Sequence, residues 1–571
     1  MADSSCLSYL HTPPVKPYRY TTIGKVAQEN ARQRPNQEIF VLREFDGSRF
    51  VLTNASLYEQ ADQLARYLVS QGVKKSDMVA LIGPNTLEML VGILGILLAG
   101  AAVLHCTINM KTALDVKKLF QISGAKYILV DQGKDDCLLA PMKAMLEHCN
   151  VQMDDRREED RINVIFLRET NLEGFTKTNT LTAVLSKDTK GVELPSIFPD
   201  DPAIIYTTSG STGDPKLVLH SHFSFASFPF SWVPTSVDYE MKMYNDRPFS
   251  WVGGSPILDI LGSNTRVFMD VAITMNGKHA DLLWQVIKEE RCTEALFFPY
   301  IIQDLLELPP ALTNDGFRLR HVSTGGQMID NFYTRITERF CHSVLVVYGC
   351  TECIPIARRG PVLQGEVLKA GDVGLPYNGV EVRVVNAQQM PLPMGTVGKV
   401  QVRTPYAMQC YIGNDELTKG VFTKDKWFRT GDVGEISQNG HLILIGRETD
   451  AISRGTRKIY PGMLEYLLKK MKAVKDVCIV AVPDKRLYEE VCVCFTTGEN
   501  LMPEDVKQFC QENLFVTNTL DSLGEMPKYF LVFEEFPKLT NGKTNKRAVA
   551  EKATLKLGLA KVREHEDALT I

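Results

Sequence analysis

Apolar positions in LYEQADQLARYLVSQG, residues 57–72, recur at helical spacing, whereas MVALIG, residues 78–83, is an unbroken apolar run of strand length. Leu87 opens a helix that is apolar on every face. Tyr127–Val130, Leu296–Phe298 and Ser343–Val347 read as further strands. Strands that alternate with helices predict an α/β fold, a large N-terminal domain of mainly parallel sheets covered on both faces. Beyond about residue 375 the texture changes. Short strands such as Val380–Val385 and Gly398–Val402 alternate with Gly and Pro turns, which predicts a β-rich subdomain. From residue 451 a new helix–strand mixture begins with Leu464–Met471, Val477–Val482, Val491–Phe495 and Glu504–Gln511. It predicts a small α+β C-terminal domain of about 120 residues.

Composition narrows the class of molecule. The chain has 571 residues, 44% of them apolar and 23% charged, as in ordinary globular proteins. A net charge of -4 without a basic run argues against nucleic acid as a partner. Thirteen cysteines at irregular spacing suit free thiols in a reducing compartment. Cys350 and Cys353 form a CxxC, but no second pair or histidine cluster completes a zinc site. The charge-free run Met89–Leu104 holds 16 residues and several glycines, too short to cross a bilayer, so no integral membrane segment is expected. The N-terminus lacks a basic-then-apolar signal and DALTI is not a peroxisomal tripeptide. The expectation is a cytoplasmic protein, with a mitochondrial location left open.

The stretch YTTSGSTGDPKLVLHSH, residues 206–222, follows an apolar strand with small hydroxyl residues, glycines and one lysine. A turn-rich loop with a solvated lysine is one reading of it. A phosphate cradle is the other: small residues let backbone N–H groups approach phosphate oxygens, and Lys216 adds charge. It is not a P-loop, because Pro215 stands where the second glycine belongs and Leu217 follows the lysine. Four more segments follow in order: YGCTE at 348–352, RTGDVGEI at 429–436, LIGRETDAISRGTRKIYPGMLE at 444–465, and PKLTNGKTNKR at 537–547.

These five segments, in that order, resemble the adenylate-forming superfamily, which includes acyl-CoA synthetases, beetle luciferases and adenylation domains of peptide synthetases. The N-terminal SYLH and the chain length resemble the medium-chain acyl-CoA synthetase branch. The resemblance implies a two-step reaction. A carboxylate attacks the α-phosphate of Mg-ATP to give an acyl-adenylate and pyrophosphate, and the thiol of coenzyme A then displaces AMP. It implies a large domain over 1–446, a hinge over 447–450 and a mobile small domain over 451–571.

The implied residue roles follow the motifs. Thr207, Thr208, Ser209, Gly210, Ser211, Thr212, Gly213 and Lys216 would hold the outer phosphates. Thr351 would bond the α-phosphate, and Glu352 would bind Mg2+. Gly325, Gly326 and Gln327 would pack on adenine, with Tyr348 beside them. Asp432 would accept both ribose hydroxyls, with Arg447 adjacent. Lys543 would be carried in for adenylation, Asp450 would be the hinge, and Gly455 would line the thioester site.

Some positions depart from the family pattern. Leu217 and Thr456 stand at usual glycines, Thr449 at a usual lysine, and Gln327 and Met328 at a usual Ala-Pro. SPILDILG, residues 255–262, resembles the family's P-x-x-H-x-x-G with Asp259 in place of histidine. Asp259 is therefore a candidate substrate residue, pairing with an amine on the acid. The alternative is an aspartate satisfied within the protein, since a buried carboxylate needs a partner. The expected activity is a ligase that joins a fatty or other lipophilic carboxylic acid to coenzyme A. Two other functions stay open: an amino-acid- or aryl-acid-activating enzyme, and an impaired relative that binds nucleotide or acyl-AMP.

Overall fold

The computed structural model describes residues 6–106, 119–131, 163–169, 180–209, 215–227, 240–270, 279–313, 315–329, 331–455, 457–498, 500–514, 526–538 and 544–559. The helix expected near residue 57 spans Asn54–Ser70. It starts in a capping box: Thr53 Oγ1 accepts from the Ser56 N–H at 3.1 Å and the Ser56 side chain caps Thr53 in return. Leu57, Ala61, Leu64, Ala65 and Leu68 form its buried stripe. The charge-free run divides as its length demands, into the buried helix Leu87–Leu98 and the strand Ala102–His105. Among the described residues no helix is long and apolar enough to cross a membrane.

Three sheets organise the chain. The seven-stranded sheet has a parallel run formed by Pro202–Ser209, Ala102–His105, Met78–Ile82, Tyr127–Val130 and Asn163–Phe166. Pro215–Ser221 turns back antiparallel on Pro202–Ser209 and in turn pairs with Cys410–Tyr411. The fourteen-stranded sheet has its own parallel run: Cys341–Cys350, Leu319–Gly325, Glu294–Phe297, Lys242–Tyr244, Thr265–Phe268 and Glu38–Arg43. Both sheets and their helices fit the α/β architecture read from the sequence.

The expected β-rich region is present, as strands joined to the large sheet. Its strands do not form a sheet of their own. Asp372–Pro376 pairs with Cys353–Leu363 on one side and Leu442–Arg447 on the other, so the region extends the large sheet. Gly398–Arg403, Val380–Val385 and Tyr9–Thr12 continue it, all antiparallel. The third sheet uses only strands after residue 451, with Val474–Asp484 and Tyr488–Thr497 as its longest pair. The helices Pro461–Leu468 and Lys546–Lys556 pack on it.

Candidate functional site

Parallel strands present their C-terminal ends on one edge of a sheet, where ligand sites of α/β proteins form. The strand Cys341–Cys350 brings Tyr348 to that edge, and its turn into Cys353–Leu363 brings Thr351 and Glu352. The Tyr348 hydroxyl donates to Asp432 Oδ2, while Arg447 Nε lies 2.8 Å from Oδ1. Asp432 and Arg447 oppose each other across the pair Phe428–Ile436 and Leu442–Arg447, so sheet register fixes the contact. Arg447 Nη1 also donates to the Thr430 carbonyl at 3.2 Å. Burial raises the pKa of Asp432, against the lowering pull of Arg447 first and the Tyr348 hydroxyl second. Burial and the neighbouring carboxylate hold the Tyr348 phenol well above its usual value, so it donates rather than ionises. A carboxylate has about four lone-pair sites, so Asp432 still has room to accept from two adjacent hydroxyls.

A second chain of contacts joins Lys216 to Glu352. Thr207 pairs with Leu217 and Thr208 with Lys216, so the opening stretch is a β-hairpin, with residues 210–214 outside those described. Alternation then sorts the return strand. Lys216, Val218 and His220 share one face, and Leu217 and Leu219 the other, where both are buried in the core of the seven-stranded sheet. This accounts for Leu217: it packs on the face away from Lys216. Lys216 Nζ sits 5.4 Å from the centre of the Tyr411 ring, and the Tyr411 hydroxyl donates to Glu352 Oε1 at 2.7 Å. Behind them, His220 Nε2 lies 2.8 Å from the Thr351 carbonyl, and the Met408 N–H donates to the Glu352 carbonyl at 2.8 Å. Burial lowers the His220 pKa to about 4. The ring is neutral at pH 7, and because a carbonyl only accepts, Nε2 carries the proton.

Tyr411 and His220 were missed in the sequence. His220 was signalled by period-2 alternation from Lys216, but Tyr411 arrives through a pairing of distant strands that no local pattern shows.

The strand Leu319–Gly325 ends beside Cys341–Cys350. A Cβ on Gly325 would lie 2.1 Å from the Val347 carbonyl oxygen, so only glycine fits. Gly326 and Gln327 are exposed on this edge, and Gln327 Nε2 donates to the Tyr333 hydroxyl at 2.6 Å. Thr207 Oγ1 donates to the His105 carbonyl at 3.3 Å, while Thr208 and Ser209 continue the same strand.

The remaining candidates stand apart. Asp450 bonds Lys546 at 3.0 Å, and Gly455 lies in the turn between Ile452–Arg454 and Arg457–Ile459, its N–H on the Leu487 carbonyl. Residues 210–213, Thr456 and Lys543 lie outside the described residues.

Asp259 matches the second reading offered for it, an aspartate satisfied within the protein. It lies in the short helix Ile257–Gly262 with its carboxylate 3.3 Å from the fully buried Arg266, so the protein itself supplies its partner. Arg266 Nε also donates to the Asn245 carbonyl at 2.7 Å and Nη1 to the Gly254 carbonyl at 2.7 Å. Burial raises the Asp259 pKa to about 6 against the pull of Arg266. The P-x-x-H-x-x-G spacing fits a second register eight residues earlier, Pro248, Trp251 and Gly254. That register directly follows the parallel strand Lys242–Tyr244, and Trp251 packs edge-on against Phe298 at the end of the next one.

Glu352 is the residue that could hold a divalent cation, with one of its carboxylate oxygens already engaged by Tyr411. Mg2+ commonly takes one or two carboxylates and completes its shell with phosphate and water.

The family model for AMP-binding enzymes matches residues 27–412, and that for the AMP-binding enzyme C-terminal domain matches residues 463–543. The chain belongs to the AMP-binding enzyme family. The resemblance to the adenylate-forming superfamily therefore holds. The zebrafish (Danio rerio) protein named medium-chain acyl-CoA ligase ACSF2, mitochondrial is 24% identical, covering 97% of this chain and 91% of that one. Oxalate–CoA ligase of Arabidopsis thaliana is 26% identical over 93% of this chain and 98% of its own length. The structure of anthranilate CoA ligase AuaEII with anthranoyl-AMP superposes with a TM-score of 0.77 at 18% identity, covering 95% of this chain and 99% of the other. This AMP-binding enzyme thus shares its whole fold with that ligase.

Proposed function

We propose that this AMP-binding enzyme is an acid–thiol ligase. ATP and a carboxylic acid give an acyl-adenylate and pyrophosphate, and the coenzyme A thiol then displaces AMP. The observation that carries the reading is the meeting of Tyr348, Asp432 and Arg447, from the fourteen-stranded sheet, with Thr351, Glu352, Tyr411 and Lys216, the last two from the seven-stranded sheet. Asp432 and Arg447 present an acceptor and a cation to a ribose, Lys216 and the hairpin face the outer phosphates, and Thr351 faces the reacting phosphate. Mg2+ held at Glu352 would offset phosphate charge. Lys543 would approach as negative charge gathers in the transition state, where such a group supplies electrostatic stabilisation. Asp450 would serve as the pivot that alternates Lys543 with the Gly455 turn.

A fatty or other lipophilic chain suits the acid, and the medium-chain ligases among the relatives support it. Their names support a mitochondrial location as well. The test is pyrophosphate release from Mg-ATP with a panel of fatty, aryl and amino acids, with and without coenzyme A. Acid-dependent release that falls about 10²–10³-fold in Lys543→Ala is expected. Tight ATP binding without turnover on any acid would overturn the ligase and leave a nucleotide-binding relative.

A further inference from the structure

Outward from the nucleotide cluster, the parallel strands Glu294–Phe297 and Lys242–Tyr244 end on the same sheet edge. Just past their ends stand Phe298, Tyr300 and Arg247. The Arg247 guanidinium lies over the Phe298 ring at 4.4 Å, and Phe298 stacks on Tyr300 with centroids 5.2 Å apart and planes 13° apart. Trp251 meets Phe298 edge-on at 5.7 Å. Arg247, Trp251, Phe298 and Tyr300 are all half-buried, so the stack forms an open-sided aromatic wall.

The polar groups of this wall are incompletely used. Arg247 Nη2 donates to the Phe297 carbonyl at 2.9 Å, but Nε is buried without a partner, and so is the Tyr300 hydroxyl. Burial lowers the Arg247 pKa to about 10, and attraction to the buried Asp246 only partly offsets this. The neighbouring Arg266, by contrast, is held by backbone carbonyls and by Asp259. Nη1 of Arg247 lies beside Gly253, where a Cβ would come within 3.0 Å of it. Glycine keeps the side of the guanidinium clear. Buried polar groups in folded proteins are nearly always paired, and an arginine fork with donors to spare matches a carboxylate.

We propose that Arg247, helped by Tyr300, receives a second carboxylate at the far end of the acid substrate, so that the enzyme prefers dicarboxylic acids to monocarboxylic acids of equal chain length. The carboxylate to be activated points to Thr351. The intervening chain lies along Trp251 and Phe298. This assignment rests on the acid–thiol ligase reading and narrows its substrate.

The test compares kcat/KM for straight-chain mono- and dicarboxylic acids matched in length, by pyrophosphate release. The wild type should favour the dicarboxylate. In Arg247→Met that preference should fall ~10–150-fold, the loss of a hydrogen bond to a charged group, while monocarboxylate turnover persists and shows that the variant is folded. Gly253→Ala, which presses on the guanidinium, should move the ratio in the same direction, and Tyr300→Phe less so. A wild type that uses matched monocarboxylates equally well, or a ratio unchanged in Arg247→Met, overturns the assignment. If no acid is activated, the ligase reading fails separately. Dicarboxylate protection against thermal unfolding, present in the wild type and lost in Arg247→Met, then supports the site, and its absence in the wild type overturns it.

Discussion

Replacing Tyr348 by phenylalanine removes one oxygen and nothing else, in a place where its partner is known. The hydroxyl donates to Oδ2 of Asp432, and Arg447 Nε holds Oδ1 at 2.8 Å. A hydrogen bond to a charged group contributes about 1.5–3 kcal/mol. Arg447 remains, so Asp432 keeps its counter-ion but loses its orientation and one of its donors. If about half of that energy is expressed in nucleotide binding, AMP binds about 3–12-fold more weakly, since each 1.4 kcal/mol is a factor of ten. The pH dependence carries a sign. Burial already raises the Asp432 pKa, and Tyr348 is among the groups that lower it. Its removal moves the pKa further up. In the proposed placement the ribose needs the carboxylate as acceptor, so affinity should fall as pH drops through that pKa, and in the variant the fall should begin at higher pH. Isothermal titration of AMP at neutral pH and at successively more acidic pH reads both effects, because linkage makes the variant-to-wild-type ratio of Kd grow toward acid. Equal affinities with parallel pH profiles would refute the placement of Asp432 against the ribose.

Other expectations test different links. Gly325→Ala forces a Cβ to within 2.1 Å of the Val347 carbonyl oxygen; urea unfolding should show a loss of at least about 1–3 kcal/mol, the usual cost of overpacking. Asp259→Asn strips the buried Arg266 of its counter-charge and should cost about 3–5 kcal/mol at neutral pH, with the ranking of acids unchanged. In the wild type the Asp259 carboxyl titrates near 6 when folded, above the usual unfolded value near 4. It therefore makes stability fall as pH rises through about 4 to 6, a contribution that Asp259→Asn removes from the pH profile of Tm. Lys546→Ala frees Asp450 and Glu465, which it bonds at 3.0 and 3.2 Å. The ratio of adenylation to thioester formation, measured in separate single-turnover assays, should change while Tm moves little.

Much of this was legible because period and punctuation are local. The strand Met78–Ile82 and the strand Tyr127–Val130 match their apolar runs, and the buried helix Leu87–Leu98 could be told from a membrane span by length alone. The five motifs likewise named Asp432, Arg447, Tyr348, Glu352 and Lys216 before any contact was known. Residues recruited across long separations in sequence were not legible. Tyr411 reaches Glu352 only because Cys410–Tyr411 pairs with Leu219 and Val218. The continuity of the β-rich region with the large sheet depends on one bridging strand, Asp372–Pro376, whose two partners are distant in sequence. Asp259 shows a different difficulty: two adjacent registers satisfy one spacing, and the ion pair with the buried Arg266 was not visible in the sequence.

The same sheet edge explains why these two kinds of information divide as they do. In the proposed function, the nucleotide contacts would sit at the ends of Cys341–Cys350 and Leu319–Gly325 and on the Asp432–Arg447 rung. They would recognise one invariant molecule through groups whose geometry is set by strand register. The next ends along the sheet, after Glu294–Phe297 and Lys242–Tyr244, carry the Arg247, Trp251 and Phe298 wall. There the requirement is to fit whichever acid the enzyme takes, so residue types follow the substrate rather than the reaction. On this geometry, exchanging Arg247 should redirect acid choice and leave AMP affinity alone, whereas Tyr348→Phe should weaken AMP for every acid alike. A variant at either position that moved both properties together would mean that the two ends of the edge do not act as separate subsites.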